Sequence, residues 1–170
     1  MAAKPEELFA LLDEMGIETN TVTHEPVFTV EESESVTANI PGGHTKNLFL
    51  KDKKGNFFLV VAEHHAKIPL NKIHGQIGAQ GRVSFANSDW LMKLLGVEPG
   101  SVNAFAPMND HEGRVKIIID KPLLAFDKIN CHPLTNRMTT TISQEDLLRF
   151  LEEVGHPADI LQLSVAEGVQ

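Results

Sequence analysis

The sequence predicts an α+β domain, a mixed β-sheet flanked by helices. Three observations lead there. Segments of two-residue apolar period and segments of helical period interleave irregularly along the chain. The length of 170 residues suits one domain over 1–170, and no repeat, low-complexity run or linker divides it. Hydrophobic residues make up 42%, enough for a core that needs neither disulfide nor structural metal.

The elements follow in order. Residues 5–15 read as a first helix: Leu8, Leu11, Leu12 and Met15 recur at helical spacing, Glu6 and Glu7 suit the first turn, and Gly16 ends it. Residues 19–23 read as a short strand and 29–33 as a short acidic helix. Pro41-Gly42-Gly43 is a turn. Residues 44–50 and 57–62 form an expected hairpin around Lys53-Lys54-Gly55-Asn56. A short helix is expected over 69–77, and the glycine-rich stretch Gly75, Gly78 and Gly81 leads to Arg82. Asn87 or Ser88 caps a helix through Leu95 that Gly96 ends. Strands are expected over 102–108, 115–120, 128–131, 138–142 and 160–163. Ser143 caps the clearest helix, with Leu147, Leu148, Phe150, Leu151 and Val154 on its apolar face and Gly155 at its end.

Composition excludes several classes. No apolar run approaches the ~20 residues of a membrane-spanning helix. The N-terminal segment carries acids within its apolar pattern and lacks the apolar stretch of a signal peptide. Cys131 is the single cysteine, so there is no intrachain disulfide and no paired-cysteine metal knuckle. A cytoplasmic protein is expected. The net charge of −8 argues against general coating of nucleic acid. The charge is uneven, however. Residues 1–41 carry one base and nine acids, residues 42–82 seven bases and two acids, and residues 83–170 seven bases and twelve acids. The basic segment leaves one place where a polyanion could dock; alternatively, Lys51, Lys53 and Lys54 only solubilise a turn.

The chemistry-bearing residues narrow the choice. Glu63-His64-His65 is conspicuous, but neighbours on a strand point to opposite faces, and no HExxH accompanies them. No metal is expected. Cys131 precedes His132, but sequence neighbours seldom place a thiol and its base in reach. No serine elbow is present, so water or a group on the substrate is the expected nucleophile. The segment 43–50 is more telling. Lys46 alternates with Leu48 and Leu50, which puts an ammonium on the apolar side of a strand. Either it edges a cleft and meets an anionic or carbonyl group, or it snorkels to the strand end.

Gly42-Gly43-His44-Thr45-Lys46-Asn47-Leu48-Phe49-Leu50-Lys51-Asp52 resembles the signature of the YbaK/ProX aminoacyl-tRNA editing domains. Further similar segments follow in the same order: residues 59–62, 95–102, 108–110, 132–136, 146–151 and 155–156. The resemblance covers nearly the whole chain. It is nearest to the free-standing members that deacylate alanyl-tRNA(Pro), relatives of the insertion domain of prolyl-tRNA synthetase. It implies a partly barrel-like sheet and hydrolysis of the ester between a wrong amino acid and the tRNA 3′ ribose, with no cofactor. Mischarged tRNA is the implied partner, with prolyl-tRNA synthetase a further one. The resemblance assigns Lys46 to orienting substrate or stabilising negative charge. Gly100 and Ser101 match the start of a loop that supplies backbone donors, and His44, Thr45, Asn47 and His132 border the substrate. Arg82 is read as a phosphate contact or a surface ion-pair partner. Two departures stand out. Ala104 occupies the position of the family loop's proline, which lowers the expected rigidity, and Cys131 replaces a larger apolar residue. Two other classes compete: a non-catalytic tRNA- or DNA-binding module, against which the absence of a dense basic helix face argues, and a metal-dependent hydrolase.

Overall fold

The computed structural model describes residues 2–26 and 40–165. The acidic helix expected at 29–33 lies outside the described residues. Eight strands form one mixed sheet: β1 (Asn20–Thr23), β2 (Gly43–Lys51), β3 (Phe57–Glu63), β4 (Ser84–Phe85), β5 (Val115–Asp120), β6 (Lys128–Cys131), β7 (Met138–Ser143) and β8 (Asp159–Leu161). Their spatial order is β1-β7-β6-β2-β3-β5-β8, with β4 paired to the end of β2. The β2/β3, β2/β4, β6/β7 and β1/β7 pairs are antiparallel; β2/β6, β3/β5 and β5/β8 are parallel. Among the described residues four helices flank it: α1 (Pro5–Glu14), α2 (His74–Ile77), α3 (Ser88–Leu95) and α4 (Gln144–Glu153). Among the described residues no helix is long and apolar enough to cross a membrane.

β3 sits between β2 and β5, and its residues from Phe57 to Ala62 are all buried. A strand covered on both faces needs such an unbroken apolar run. One face of the sheet carries Phe49, Phe57, Leu59, Val61, Ile117 and Ile119 into the main core. Leu8 and Leu12 of α1, Leu91, Leu94 and Leu95 of α3, and Leu147, Phe150 and Leu151 of α4 close over that face. The other face carries Leu50, Phe58, Val60 and Ile118 into a smaller cluster with Ile73, Ile77 and Leu163. Phe105 anchors the main core, its ring edge-on to Phe150 at 5.3 Å.

The helix caps form as the sequence predicts. The Asn87 side chain accepts from the Trp90 amide at 3.0 Å, and the Ser143 hydroxyl accepts from the Asp146 amide at 3.1 Å. Three elements differ from expectation. Residues 102–108 are not a strand: the Asn103 side chain accepts from the Phe105 amide, Pro107 has no amide to give a ladder, and a 3₁₀ helix runs over Ala106–Asn109. Only His74–Ile77 of the segment 69–77 is helical. The two-residue strand β4, too short for a periodic signal, was not expected.

Asp52 organises the tip of the β2–β3 hairpin. Its carboxylate accepts from the amides of Lys54 and Asn56, both at 2.9 Å, from the Asn56 side chain at 2.9 Å and from the Gln80 amide at 2.7 Å. Burial alone would raise its pKa; these donors outweigh that and hold it down at about 2.

Two outcomes follow from this packing. Phe105→Ala is expected to lose ~3–5 kcal/mol of stability and Ser143→Ala about 1 kcal/mol, read as shifts in urea midpoint. Asp52 has a lower pKa folded than its unfolded value of about 3.9, so its contribution is complete above that value. It is lost as pH falls toward about 2. Urea midpoints measured across this window should fall more steeply for the wild type than for Asp52→Asn.

Candidate active site

The β2 entrance is built by close approach. A Cβ at Gly43 would lie 2.7 Å from the Phe126 ring, so only glycine fits. Asn130 of β6, in parallel register with His44, ties this entrance down. Its Nδ2 donates to Pro41 O at 3.1 Å and to His44 Nδ1 at 3.2 Å, its backbone carbonyl accepts from the Thr45 hydroxyl at 2.8 Å, and its Oδ1 accepts from the Thr141 hydroxyl. With Nδ1 accepting, His44 uses Nε2–H to donate to Ile40 O at 3.0 Å.

Lys46 lies opposite Ala62 on β3, on the same side of β2 as Leu48 and Leu50. It is half-buried, and its ammonium donates to the Ala66 carbonyl. Ala66 belongs to the turn after β3, closed by its own amide on Glu63 O at 2.9 Å. Burial pushes the Lys46 pKa down, and the Glu63 and Asp120 carboxylates pull it back up. Asp120 is fully buried: Oδ1 accepts from the Leu163 and Ser164 amides at 2.8 and 3.0 Å, while Oδ2 has no hydrogen-bond partner among the described residues. A cleft of about 540 Å³ opens at this end, lined by Glu63, His65, Ala66, Phe126 and Val165 among others.

Asn47 points to the opposite face, and its Oδ1 is buried without a hydrogen-bond partner among the described residues. The main core, which Val102 and Ala104 pack against or join, lies on that side. Gly100 turns the chain at φ 92°, and the Ser101 amide donates to Glu98 O at 3.0 Å. Asn103, fully buried, brackets the loop: its Nδ2 donates to Ser101 O at 2.7 Å and its Oδ1 accepts from Phe105 N–H at 2.8 Å. That side chain restrains the loop on both sides of Ala104.

Ser101 lines a second cleft of about 440 Å³ with Leu134, Thr135 and Arg137. Leu134 sits at φ 65°, a left-handed conformation that costs a bulky residue of order 1–3 kcal/mol. His132 begins this loop, its Nδ1–H donating to Met138 O at 3.0 Å and its ring centroid 6.3 Å from that of His24. Burial lowers its pKa, the Met138 carbonyl partly opposes this, and His24 adds to the lowering.

The structure thus gathers His44, Thr45, Lys46 and Asn47 on one strand, and brings Ser101 to the loop that His132 opens. No described contact joins Lys46 to Gly100 or Ser101. Arg82 is exposed at the far end of β2, where Gly81 packs on Lys53 and Leu50 pairs with Phe85. Five residue steps along the strand separate Lys46 from Lys51 at that end, roughly 17 Å. Cys131 is buried, and burial pushes its thiol up to about 12 despite the Thr45 hydroxyl beside it. Sequence reasoning passed over Asn130, Asn103, Asp120 and Ala66. The first three carry a readable signal, a polar residue inside an apolar segment. Ala66 contributes only a carbonyl and carries none.

The model of the aminoacyl-tRNA editing domain matches residues 24–150. "Prolyl-tRNA synthetase associated domain-containing protein 1" of Danio rerio is 40% identical over 157 residues, covering 91% of this chain and 85% of its own. "Prolyl-tRNA editing protein ProX" of Acetoanaerobium sticklandii is 35% identical over 157 residues, covering 92% and 95%. Among solved structures, a candidate trans-editing enzyme for prolyl tRNA synthetase superposes with a TM-score of 0.72 over 98% of this chain and 100% of its own, at 18% identity. The family model and these relatives agree: the chain belongs to the aminoacyl-tRNA editing domain family, the deacylases of aminoacyl-tRNA.

Proposed function

We propose that this chain is a trans-editing hydrolase that removes the amino acid from mischarged tRNA, with alanyl-tRNA(Pro) as substrate. The observation that carries the reading is Lys46: a half-buried ammonium anchored on the carbonyl of Ala66, a residue that lines a cleft. An aminoacyl ester develops negative charge on its carbonyl oxygen during hydrolysis, and a fixed cation in a partly dry site stabilises that charge more than water does. The nucleophile is water or the ribose 2′-OH. Cys131, the chain's single thiol, is buried and stays protonated at neutral pH, which supports that assignment.

The remaining residues take graded roles. His44 and Thr45 shape the entrance of β2, with Asn130 holding both, and Asn47 acts from the opposite face of the strand. Gly100, Ser101 and His132 serve the second cleft, which receives the 3′-terminal nucleotide. The Ser101 amide is engaged with Glu98, so the loop acts by shape or by rearranging on binding. Arg82 and the lysines of the hairpin tip meet acceptor-stem phosphates. The reaction takes place in the cytoplasm, with prolyl-tRNA synthetase supplying the mischarged tRNA. A proline pocket rejects the smaller alanine by only ~1–3 kcal/mol, which is why a second, hydrolytic sieve is useful.

Deacylation of alanyl-tRNA(Pro), with prolyl-tRNA(Pro) as control, tests the reading. The wild type should release alanine and spare proline. Lys46→Ala should slow release by ~10²–10³, and Lys46→Arg should not restore it, because the planar guanidinium does not fit a point-charge site. Cys131→Ala should keep near wild-type activity. Turnover absent from every small-amino-acid tRNA would overturn the proposal in favour of a non-catalytic tRNA-binding role.

A further inference from the structure

We infer that Glu63, His64 and His65 form a binding site for one borderline divalent cation, zinc foremost, on the rim of the Lys46 cleft. The objection that adjacent histidines face apart holds only within a strand. β3 ends at Glu63, and the chain enters a turn at His64 and His65, where alternation no longer applies. The two imidazole rings lie 3.8 Å apart between centroids. One ligand atom from each of the three residues falls within 4.8 Å of the others. Tetrahedral zinc, with ligands at roughly 2.0–2.2 Å, needs donor atoms about 3.3–3.5 Å apart, so small side-chain rotations complete the set.

The turn is already organised for this. The Ala66 amide closes it on Glu63 O, the His65 amide donates to Glu63 Oε2 at 2.9 Å, and Glu63 Oε1 lies 3.4 Å from His64 Nε2. Three consecutive residues on one tight turn lose little entropy on closing round an ion. Their burial grades outward: Glu63 and His64 are partly buried and His65 is exposed, so the ion has an entry path. Two imidazoles and one carboxylate select zinc, copper or nickel over magnesium or calcium. Three protein ligands leave coordination positions open. Glu63 and His65 also line the 540 Å³ cleft, so those positions face it and suit water or an anionic oxygen of a bound ligand.

Calorimetric titration of the tag-free, chelator-treated protein with zinc chloride tests this, with magnesium chloride as control. One equivalent of zinc should bind and magnesium should not. His65→Ala, whose side chain is exposed, and Glu63→Gln should each weaken binding at least tenfold with an unchanged circular dichroism spectrum. His24→Ala, near the other histidine pair, should bind as the wild type does. Cobalt(II) in place of zinc should give visible absorption bands that His65→Ala loses. Zinc binding unchanged in the His65→Ala and Glu63→Gln variants, or no heat of binding by the wild type, would overturn the assignment. Neither result depends on deacylation, so failure here leaves the editing reading untouched.

Discussion

The register of β2 against β3 is the constraint on which the site depends. It sets Lys46 opposite Ala62 and Thr45 opposite Glu63. Ala62 is small, so the lysine stem has room to lie across the sheet. One step beyond the Val61–Ile119 pair, Asp120 falls in the same row on β5. The row Lys46, Ala62, Asp120 therefore places a cation and a carboxylate on either side of a methyl group, on an otherwise apolar face. A slip of one residue would send Lys46 into the main core and bring Asn47 out in its place. The apolar pattern of β2 resists that slip, because it would also take Phe49 out of the main core and bury an ammonium there. The core thus specifies the position of the charge.

Much of this was legible in the sequence for a physical reason. Periodicity reports burial, and Lys46 was conspicuous because it broke the pattern of its own strand. The caps at Asn87 and Ser143 were legible because capping is local chemistry. The segment 102–108 was not. Its alternation is that of a strand, but Asn103 satisfies its neighbours' backbone groups with its own side chain and removes the need for a ladder. The end of β3 was legible to within one residue, 62 against Glu63, but the close approach of the His64 and His65 rings in the turn beyond it was not. The clamp by Asn130 depends on a parallel pairing between segments 86 residues apart in the His44 contact. Sequence spacing carries no trace of that.

The alternation of side chains along β2 bears on how an aminoacyl-tRNA end could be held. Adjacent strand residues serve opposite faces, so Lys46 and Asn47 reach into different surroundings while their backbones stay 3.8 Å apart at Cα. A ligand wrapping the β2 entrance, where Gly42 and Gly43 keep the wall thin, would meet both. The basic hairpin tip lies beyond, its loop fixed by Asp52 to the Gln80 segment. The strand therefore joins an electrostatic end, suited to phosphates, to a half-buried end suited to an ester.

Two buried oxygens sharpen the argument. Asn47 Oδ1 and Asp120 Oδ2 lack hydrogen-bond partners among the described residues, and they flank Lys46 on the two faces of the sheet. Each such atom costs about 1–3 kcal/mol of stability. Apolar residues of similar size would recover that loss and would suit the surrounding core. Leu134, held at positive φ beside Ser101, is a further cost of the same kind. These penalties fall around the β2 segment and the loop after β6. Two of the helices packed on the main core, α3 and α4, carry side-chain caps instead. Two unsatisfied oxygens on either side of one lysine mark that strand as a place where polar groups are kept at the expense of folding stability.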